Sequence, residues 1–182
     1  MPGDMKAKIA DTLHEILMHK DLDKITVKEL VDACNISRQS FYYHFQDIMD
    51  VMEWYQNQVL RASIEKSLEA PTFREAIRGV VYETYSHREL LSQLMASKRW
   101  RELEDLFLKA VRTYLRELFR GKGSSISCAP GDLEAVLSFY ACGLVGMMFT
   151  DLRRKDPDLD LLSEQMCRLL TGEISCRFTE QP

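Results

Sequence analysis

Residues 26–45 read TVKELVDACNISRQSFYYHF, and this stretch decides the fold of the first part of the chain. Thr26 is a good N-cap residue, and Glu29, three positions later, completes the sequence pattern of a capping box. Asn35 suits the left-handed backbone that ends a helix, and Ser37 is a second N-cap. Apolar residues between the caps recur at the spacing of one helical face, and they are Val27, Leu30, Val31 and Cys34. The stretch therefore predicts two short helices joined by a tight turn.

The second of these helices is predicted to have an aromatic face and a polar face. At about 100° per residue, Phe41 and Phe45 lie on one side, which we assign to the core. Arg and Gln side chains read base edges in the major groove of DNA, while Tyr, Ser and His reach phosphates. An ordinary polar surface helix is the alternative that the angles leave open. The predicted DNA-binding residues are Thr26, Lys28, Ser37, Arg38, Gln39, Ser40, Tyr42, Tyr43 and His44.

The same stretch resembles the DNA-binding sequence of the tetracycline-repressor (TetR-like) family of bacterial transcription regulators. The segments that carry the resemblance are Ile25-Thr26-Val27, Ile36-Ser37-Arg38 and Phe41-Tyr42-Tyr43-His44-Phe45. The resemblance is specific over roughly the first 55 residues and implies an all-α fold. We expect a three-helix, helix-turn-helix head in residues 1–50, followed by a helical effector-binding and dimerisation body in residues 51–182.

Composition agrees with a helical chain. Only eight Gly and five Pro occur among 182 residues, which leaves long stretches free of helix breakers. Apolar periodicity predicts about nine helices in all, and those after the head are expected near 47–68, 72–86, 88–96, 98–120, 132–154 and 158–176. The first helix is expected at 4–20. The N-terminal residues have no apolar signal core, and the five cysteines include no Cys-x-x-Cys pair, so we expect reduced thiols in a cytoplasmic protein.

Charge is the feature that fits DNA binding least. The chain has a net charge of −4, and residues 1–50 hold six Lys and Arg against nine Asp and Glu. Because non-specific DNA affinity scales with the phosphates that a protein neutralises, strong non-specific binding is not expected. The resembled family usually carries a Lys near the start of its fourth helix, where this chain has Gln46, Asp47 and Ile48. Gln46 and the free N–H groups of that helix start remain as candidate phosphate contacts, although Asp47, the predicted cap, disfavours them.

The run 132–154 is hydrophobic nearly all round. A membrane span needs about 20 such residues, whereas the apolar part of this stretch, residues 135–149, is shorter, contains Ser138 and is flanked by Glu134 and Asp151, so no membrane is expected. A helix covered on one side by its own domain and on the other by a second chain explains the pattern better. With the last helix it predicts a four-helix dimer interface. The predicted interface residues are Phe139, Gly143, Gly146, Met147, Met166 and Leu170.

An effector pocket is expected among the middle helices, which are rich in aromatic residues and Met. The candidate lining residues are Tyr82, Tyr85, Met95, Trp100, Phe107 and Tyr114. Ordinary core or surface packing at helical spacing is the alternative for each of them. The effector itself is not specified by these residues.

No pattern of an enzyme, a cofactor site or a metal site is present in the sequence. His14 and His19 are five positions apart and so do not share a helix face, and neither a Gly-rich phosphate loop nor Gly-x-Ser-x-Gly occurs. The resemblance implies instead a ligand-responsive repressor that binds a palindromic DNA operator as a homodimer. The alternative is a coregulator or coactivator that acts through protein contacts without DNA. The segment Phe41-Tyr42-x-x-Phe45-Gln46 also resembles a subgroup of regulators of dihydroxyacetone utilisation, some of which are activators.

Overall fold

A computed structural model describes residues 2–122, 129 and 131–174, and every regular element among them is a helix. The predicted all-α class is confirmed. The helices are α1 (Pro2–Leu17), α2 (Val27–Ala33), α3 (Arg38–His44), α4 (Ile48–Glu69), α5 (Phe73–Ser86), α6 (Arg88–Met95), α7 (Trp100–Gly121), α8 (Leu133–Leu152) and α9 (Leu159–Leu170). One 3₁₀ turn, Leu22–Lys24, separates α1 from α2.

The first and last helices, α1 and α9, end at least three residues earlier than their apolar patterns predict. α1 stops at Leu17 instead of residue 20. α9 stops at Leu170, because Gly172 adopts a left-handed φ of 75° and its N–H donates back to the carbonyl of Leu169 at 3.3 Å. The predicted helix at 158–176 was therefore too long within the described residues, and positions 175 and 176 lie outside them.

The chain packs as two compact units. The first comprises the residues up to 62 together with 87–110, and the second comprises 63–86 together with the residues from 111 onward. Both α4 and α7 begin in the first unit and end in the second. The functional division at residue 50 stays a prediction, since the packing boundaries fall inside these two long helices.

The core of the first unit draws on six helices. Its central side chains, all nearly or fully buried, are Ile9, Leu13, Leu30, Phe41, Phe45, Val51, Leu94 and Leu103. Burying each such side chain contributes about 1.5–3 kcal/mol relative to leaving it in water. Because three short helices cannot bury that much surface alone, α4, α6 and the start of α7 complete the core of the helix-turn-helix.

The second unit is built around the packing of α5 on α9. The buried faces of the two helices contribute Ala76, Ile77 and Val81 from α5, and Leu162, Met166 and Leu170 from α9. At the surface, Arg78 donates to Asp160 at 2.9 Å. Arg74, one turn nearer the start of α5, pairs with Glu164, one turn further along α9. α8 turns one stripe inward, which consists of Leu137, Ala141, Val145, Met148 and Leu152.

Asn35 offers a direct test of the turn that sets the angle between α2 and α3. Its φ of 52° lies in the left-handed region, which Asn tolerates and which costs most other residues roughly 1–2 kcal/mol. We therefore expect Asn35→Ala to lower the free energy of unfolding by about 1 kcal/mol in urea denaturation. Asn35→Gly is the matched control, because glycine accepts the same φ; a loss equal to that of the alanine variant would contradict the account.

Candidate nucleic-acid interface

Each helix of the helix-turn-helix begins at one side-chain cap. The Thr26 hydroxyl accepts from the N–H of Glu29 at 3.2 Å, and the Ser37 hydroxyl accepts from the N–H of Ser40 at 3.0 Å. Between the helices, the N–H of Ile36 donates to the carbonyl of Val31 at 3.0 Å and closes the turn. Both predicted N-caps and the left-handed turn are confirmed.

Glu29 does not complete the predicted capping box. Its two carboxylate oxygens instead accept from Lys20 Nζ at 2.8 and 2.7 Å. This half-exposed ion pair ties the end of α1 to the start of α2. The charge of Lys20 is thereby neutralised and is less available to bind DNA. The same holds for Lys24, which pairs with Asp21 at 2.6 Å.

The outer face of α3 is where the helical angles placed it. Arg38 and Gln39 are exposed, and Tyr42 and Tyr43 present 58% and 83% of their surface to solvent. Ser40 and His44 are half-buried on the flank. On the opposite side, Phe41 and Phe45 are buried with ring centroids 6.1 Å apart. The helix therefore presents donors and flat rings on one side of an apolar anchor, while the DNA-binding role of these residues remains a prediction.

Few cations of the head remain unpaired near this face. Lys28 and Arg38 are exposed and, among the described residues, have no carboxylate within ion-pair distance. Lys6 places its Nζ 5.0 Å from the centre of the Phe45 ring. Any contact with the DNA backbone thus depends on a small set of positive charges.

The start of α4 is occupied by carboxylates. Asp47 Oδ1 accepts from the N–H groups of Met49 at 2.7 Å and Asp50 at 3.0 Å, so Asp47 is confirmed as the cap. Asp50 Oδ2 accepts from the N–H of Gln46 at 2.9 Å. The chain's own carboxylates therefore bind three N–H groups at this helix start, and contact of Gln46 or of this helix start with phosphate stays a prediction.

Within the same unit, the turn between α1 and α2 is hydrogen-bonded to the turn between α6 and α7. Asp23 accepts from the Ser97 hydroxyl at 2.7 Å and from the backbone N–H of Lys98 at 2.9 Å, and these bonds lower the pKa of Asp23. Gln93 Nε2 donates to Asp21 at 3.3 Å. Sequence reasoning missed this link, since exposed carboxylates more than 70 residues from their partners leave no periodic pattern.

The six residues predicted to line an effector pocket lie in both packing units. Met95, Trp100 and Phe107 belong to the first, and the rings of Trp100 and Phe107, 6.1 Å apart, pack against the core of the head. The second unit holds the other three, Tyr82, Tyr85 and Tyr114. Neither unit alone contains all six, and their role in effector binding stays a prediction.

Two of these tyrosines have opposite environments. Tyr114 is buried, donates to the Ser67 hydroxyl at 2.9 Å, and has its pKa raised to about 12 by burial. Tyr82 lies at the surface and donates to Asp160 at 2.9 Å. An open surface depression of about 320 Å³ beside it is lined by Glu75, Arg78, Gly79 and Tyr82. Tyr82 therefore lines this open depression at the surface of the second unit.

The six predicted interface residues divide by burial. Phe139 is 75% exposed, and Gly143 and Gly146 face open space. Met147 is half-buried. Met166 and Leu170, by contrast, are buried in the second unit, so they have almost no surface to offer a partner. They were selected from the period of α9, which does not reveal which side packs on α5.

Thiols and metal ligands are dispersed. Cys34 and Cys167 are buried free thiols, and Cys142 is an exposed one; Cys128 and Cys176 lie outside the described residues. Burial raises the pKa of the Cys167 thiol. Across residues 2–122, 129 and 131–174, no three His, Cys, Asp or Glu side chains gather where they could hold one metal ion.

Comparison with known proteins identifies a family whose sequences are similar to the head. The family described as "Bacterial regulatory proteins, tetR family" matches residues 9–53, which run from α1 into α4. A putative TetR-family transcriptional regulator from Syntrophomonas wolfei has the same fold, with a TM-score of 0.61, 13% identity, and coverage of 95% of this chain and 96% of that chain. Residues 9–53 of this chain therefore match the TetR family of bacterial regulatory proteins.

Three further known proteins are similar to part or most of this chain. The HTH-type regulator YxbF of Bacillus subtilis (strain 168) is 25% identical over 104 residues, which are 52% of this chain and only 27% of that protein. The dihydroxyacetone kinase operon activator DhaS matches with a TM-score of 0.66 and 16% identity over 93% and 95% of the two chains. Thermus thermophilus FadR, a TetR-family repressor solved with lauroyl-CoA, matches with a TM-score of 0.60 and 19% identity over 97% of this chain and 98% of that chain. At these identities the solved structures support the fold alone.

Asp23 gives the TetR-like head a predicted dependence on pH. Its pKa is lowered in the folded state, so the stability that its ionised form contributes is present above the ordinary Asp pKa and is lost as pH falls through the folded pKa. We expect Asp23→Asn to be less stable than the parent at neutral pH, with the difference shrinking in acid. Urea unfolding measured from pH 7 downward checks this. Asp105→Asn, an exposed change on α7 in the same unit, is the control, and a difference independent of pH would count against the link.

Proposed function

We propose that this TetR-like chain is a ligand-responsive transcriptional repressor that binds a palindromic operator as a homodimer in the bacterial cytoplasm. The observation that carries the proposal is the polar outer face of α3, held outward by Phe41 and Phe45. We assign it no catalytic role, cofactor or metal.

The proposed reading of DNA places α3 in the major groove. Arg38 and Gln39 stand in the first turn of the helix, where recognition helices contact base edges. Tyr42 and Tyr43 then approach the flanking phosphates with their hydroxyls, as does Thr26 at the start of α2. Lys28 and Arg38 supply the positive charge of this surface.

The proposed homodimer uses the outward side of α8. The exposed stripe follows helical spacing and consists of Ala135, Phe139, Cys142, Gly143, Gly146 and Thr150. Small residues permit close approach of another helix, and the exposed Phe139 needs a covering surface. Two heads held by such a dimer would meet two half-sites on one side of the DNA, which accounts for a palindromic operator.

α8 is also long and apolar enough to cross a membrane, judged by length and composition. The buried core helices of soluble proteins pass the same test, and here about a quarter of the relevant window, 28%, is buried within the chain. The inner stripe packs within the second unit, and Glu134 in its first turn accepts from Arg116 at 2.5 Å. We therefore propose that a second copy of the chain covers the outer stripe, and that lipid does not.

We propose that a ligand regulates DNA binding, because the arrangement of head and body would let a ligand move the head. The head shares its packing unit with α6 and the first half of α7, so a ligand that shifts these helices would shift the head. Such a ligand changes DNA affinity only if it prefers one arrangement of the heads. FadR of similar fold was solved with lauroyl-CoA, which makes acyl-CoA the first compound to titrate into a DNA complex.

A coregulator that does not bind DNA is the second candidate. The acidic head and the carboxylates at the start of α4 favour it, and DhaS, of similar fold, is named an operator activator. A gel-shift with the DNA upstream of its own gene separates the two. Sequence-specific retardation excludes the coregulator, whereas capture of a protein partner without retardation supports it.

Substitutions in α3 test the DNA-binding surface. Arg38→Ala is expected to weaken operator binding by roughly 5- to 100-fold, the range for loss of a base-reading arginine, and Tyr42→Ala is expected to weaken it by less. Fluorescence anisotropy with labelled operator measures both. Arg101→Ala, an equally exposed arginine on α7, should bind as the parent does. Equal losses in all three variants would remove the assignment of α3 as the reading helix.

A charge placed on α8 tests the homodimer. Phe139→Glu should weaken self-association on the order of tenfold or more, because a carboxylate would be buried against the partner's apolar stripe. Sedimentation would then show the mass moving from a dimer toward the 21.2 kDa chain. Val59→Glu adds the same charge at another exposed apolar position, on α4, and should leave the mass unchanged. A monomeric parent protein would refute the proposed interface.

A further inference from the structure

The N-terminus of α4 is closed by two aspartates of the chain itself. Asp47 Oδ1 accepts from Met49 N–H at 2.7 Å and Asp50 N–H at 3.0 Å, and Asp50 Oδ2 accepts from Gln46 N–H at 2.9 Å. Asp47 is exposed and Asp50 half-buried, so both charges lie at or near the surface. The segment follows α3 directly, since only Phe45, Gln46 and Asp47 separate the two helices.

A helix start so close to a recognition helix would ordinarily favour a phosphate. Its unpaired N–H groups and the positive end of the helix dipole attract anions. Here three of the N–H groups, those of Gln46, Met49 and Asp50, are already bound, and the carboxylates that bind them are fixed to the chain. A DNA phosphate at this position would have to displace a carboxylate or approach two negative charges.

From this geometry we propose that Asp47 and Asp50 keep the DNA backbone away from the start of α4 and so limit non-specific DNA affinity. The proposal rests on the proposed function, DNA binding through α3. Discrimination between operator and other DNA then comes from α3, because the sequence-independent part of the binding free energy is kept small.

The surrounding charges leave this effect uncompensated. Lys20 is paired with Glu29, Lys24 with Asp21, and Glu53, one turn beyond Asp50, with Lys109. Lys6 lies over the Phe45 ring, which precedes Gln46 in the chain. Three exposed Lys and Arg residues of the head have no carboxylate within ion-pair distance among the described residues, namely Lys8 on α1, Lys28 on α2 and Arg38 on α3. Two of the three thus lie on the helices of the proposed reading surface.

Asp47→Asn is the decisive variant, because asparagine caps helices as well as aspartate does but carries no charge. With the full-length protein and a short duplex of random sequence, we expect the affinity at low salt to rise about three- to tenfold, as expected for one unit charge removed near a phosphate in each head. Operator affinity should rise by no more than that, so the ratio of specific to non-specific affinity should not increase. Asp50→Asn should act in the same direction. Anisotropy titrations at two salt concentrations measure both affinities.

Glu15→Gln is the matched control, since it removes one charge from an exposed position on α1. Its affinity for random DNA should change less than that of Asp47→Asn. An equal change in both variants would show that only net charge matters and would overturn the inference, as would no change in Asp47→Asn. If the parent binds operator but Asp47→Asn and Asp50→Asn gain no affinity for random DNA, this inference is refuted and the proposed function stands. If neither the parent nor any variant binds any DNA, the proposed function fails with it.

Discussion

The burial of Phe41 and Phe45 is the constraint on which the rest of the molecule depends. These two rings, one helical turn apart, hold α3 against a core assembled from six helices. Once that side of α3 is buried, helical geometry points Gln39 and Tyr43 away from it and places Arg38 and Tyr42 on one flank. The surface proposed to read DNA is therefore a consequence of core packing, and replacing either ring would disturb that surface without changing its own residues. A Phe-to-Ala change in such a core costs about 3–5 kcal/mol.

The same core explains why the head does not end where its sequence pattern ends. Leu94 of α6 and Leu103 of α7 close the apolar cluster, and Asp23 binds the turn between those two helices. Any event that moves α6 must either carry the head with it or break these contacts. The proposed ligand response requires a connection of this kind between α6 and the head. The hydrogen bonds of Asp23 supply one between residues more than 70 positions apart.

Local chemistry was readable from the sequence and long-range chemistry was not. Thr26, Ser37, Asn35 and Asp47 behave as their caps and turns predict, because each effect acts within four residues. Which side of α9 packs inward depends on α5, so the selection of Met166 for a partner surface could not be made from periodicity. The partner of Glu29 is likewise set by the return of Lys20 from α1. The effector pocket inferred from aromatic content stays a prediction, and its six residues fall in two packing units.

We propose that specific DNA binding depends on a few cations and on two correctly spaced copies of α3. Hydroxyl-radical footprinting of the intact protein on the DNA upstream of its own gene tests this claim most directly. The prediction is two protected patches on one side of the duplex, related by two-fold symmetry and separated by a whole number of helical turns of about 10 base pairs. Uniform or absent protection at protein concentrations that saturate the DNA, or protection of a single half-site, would contradict it.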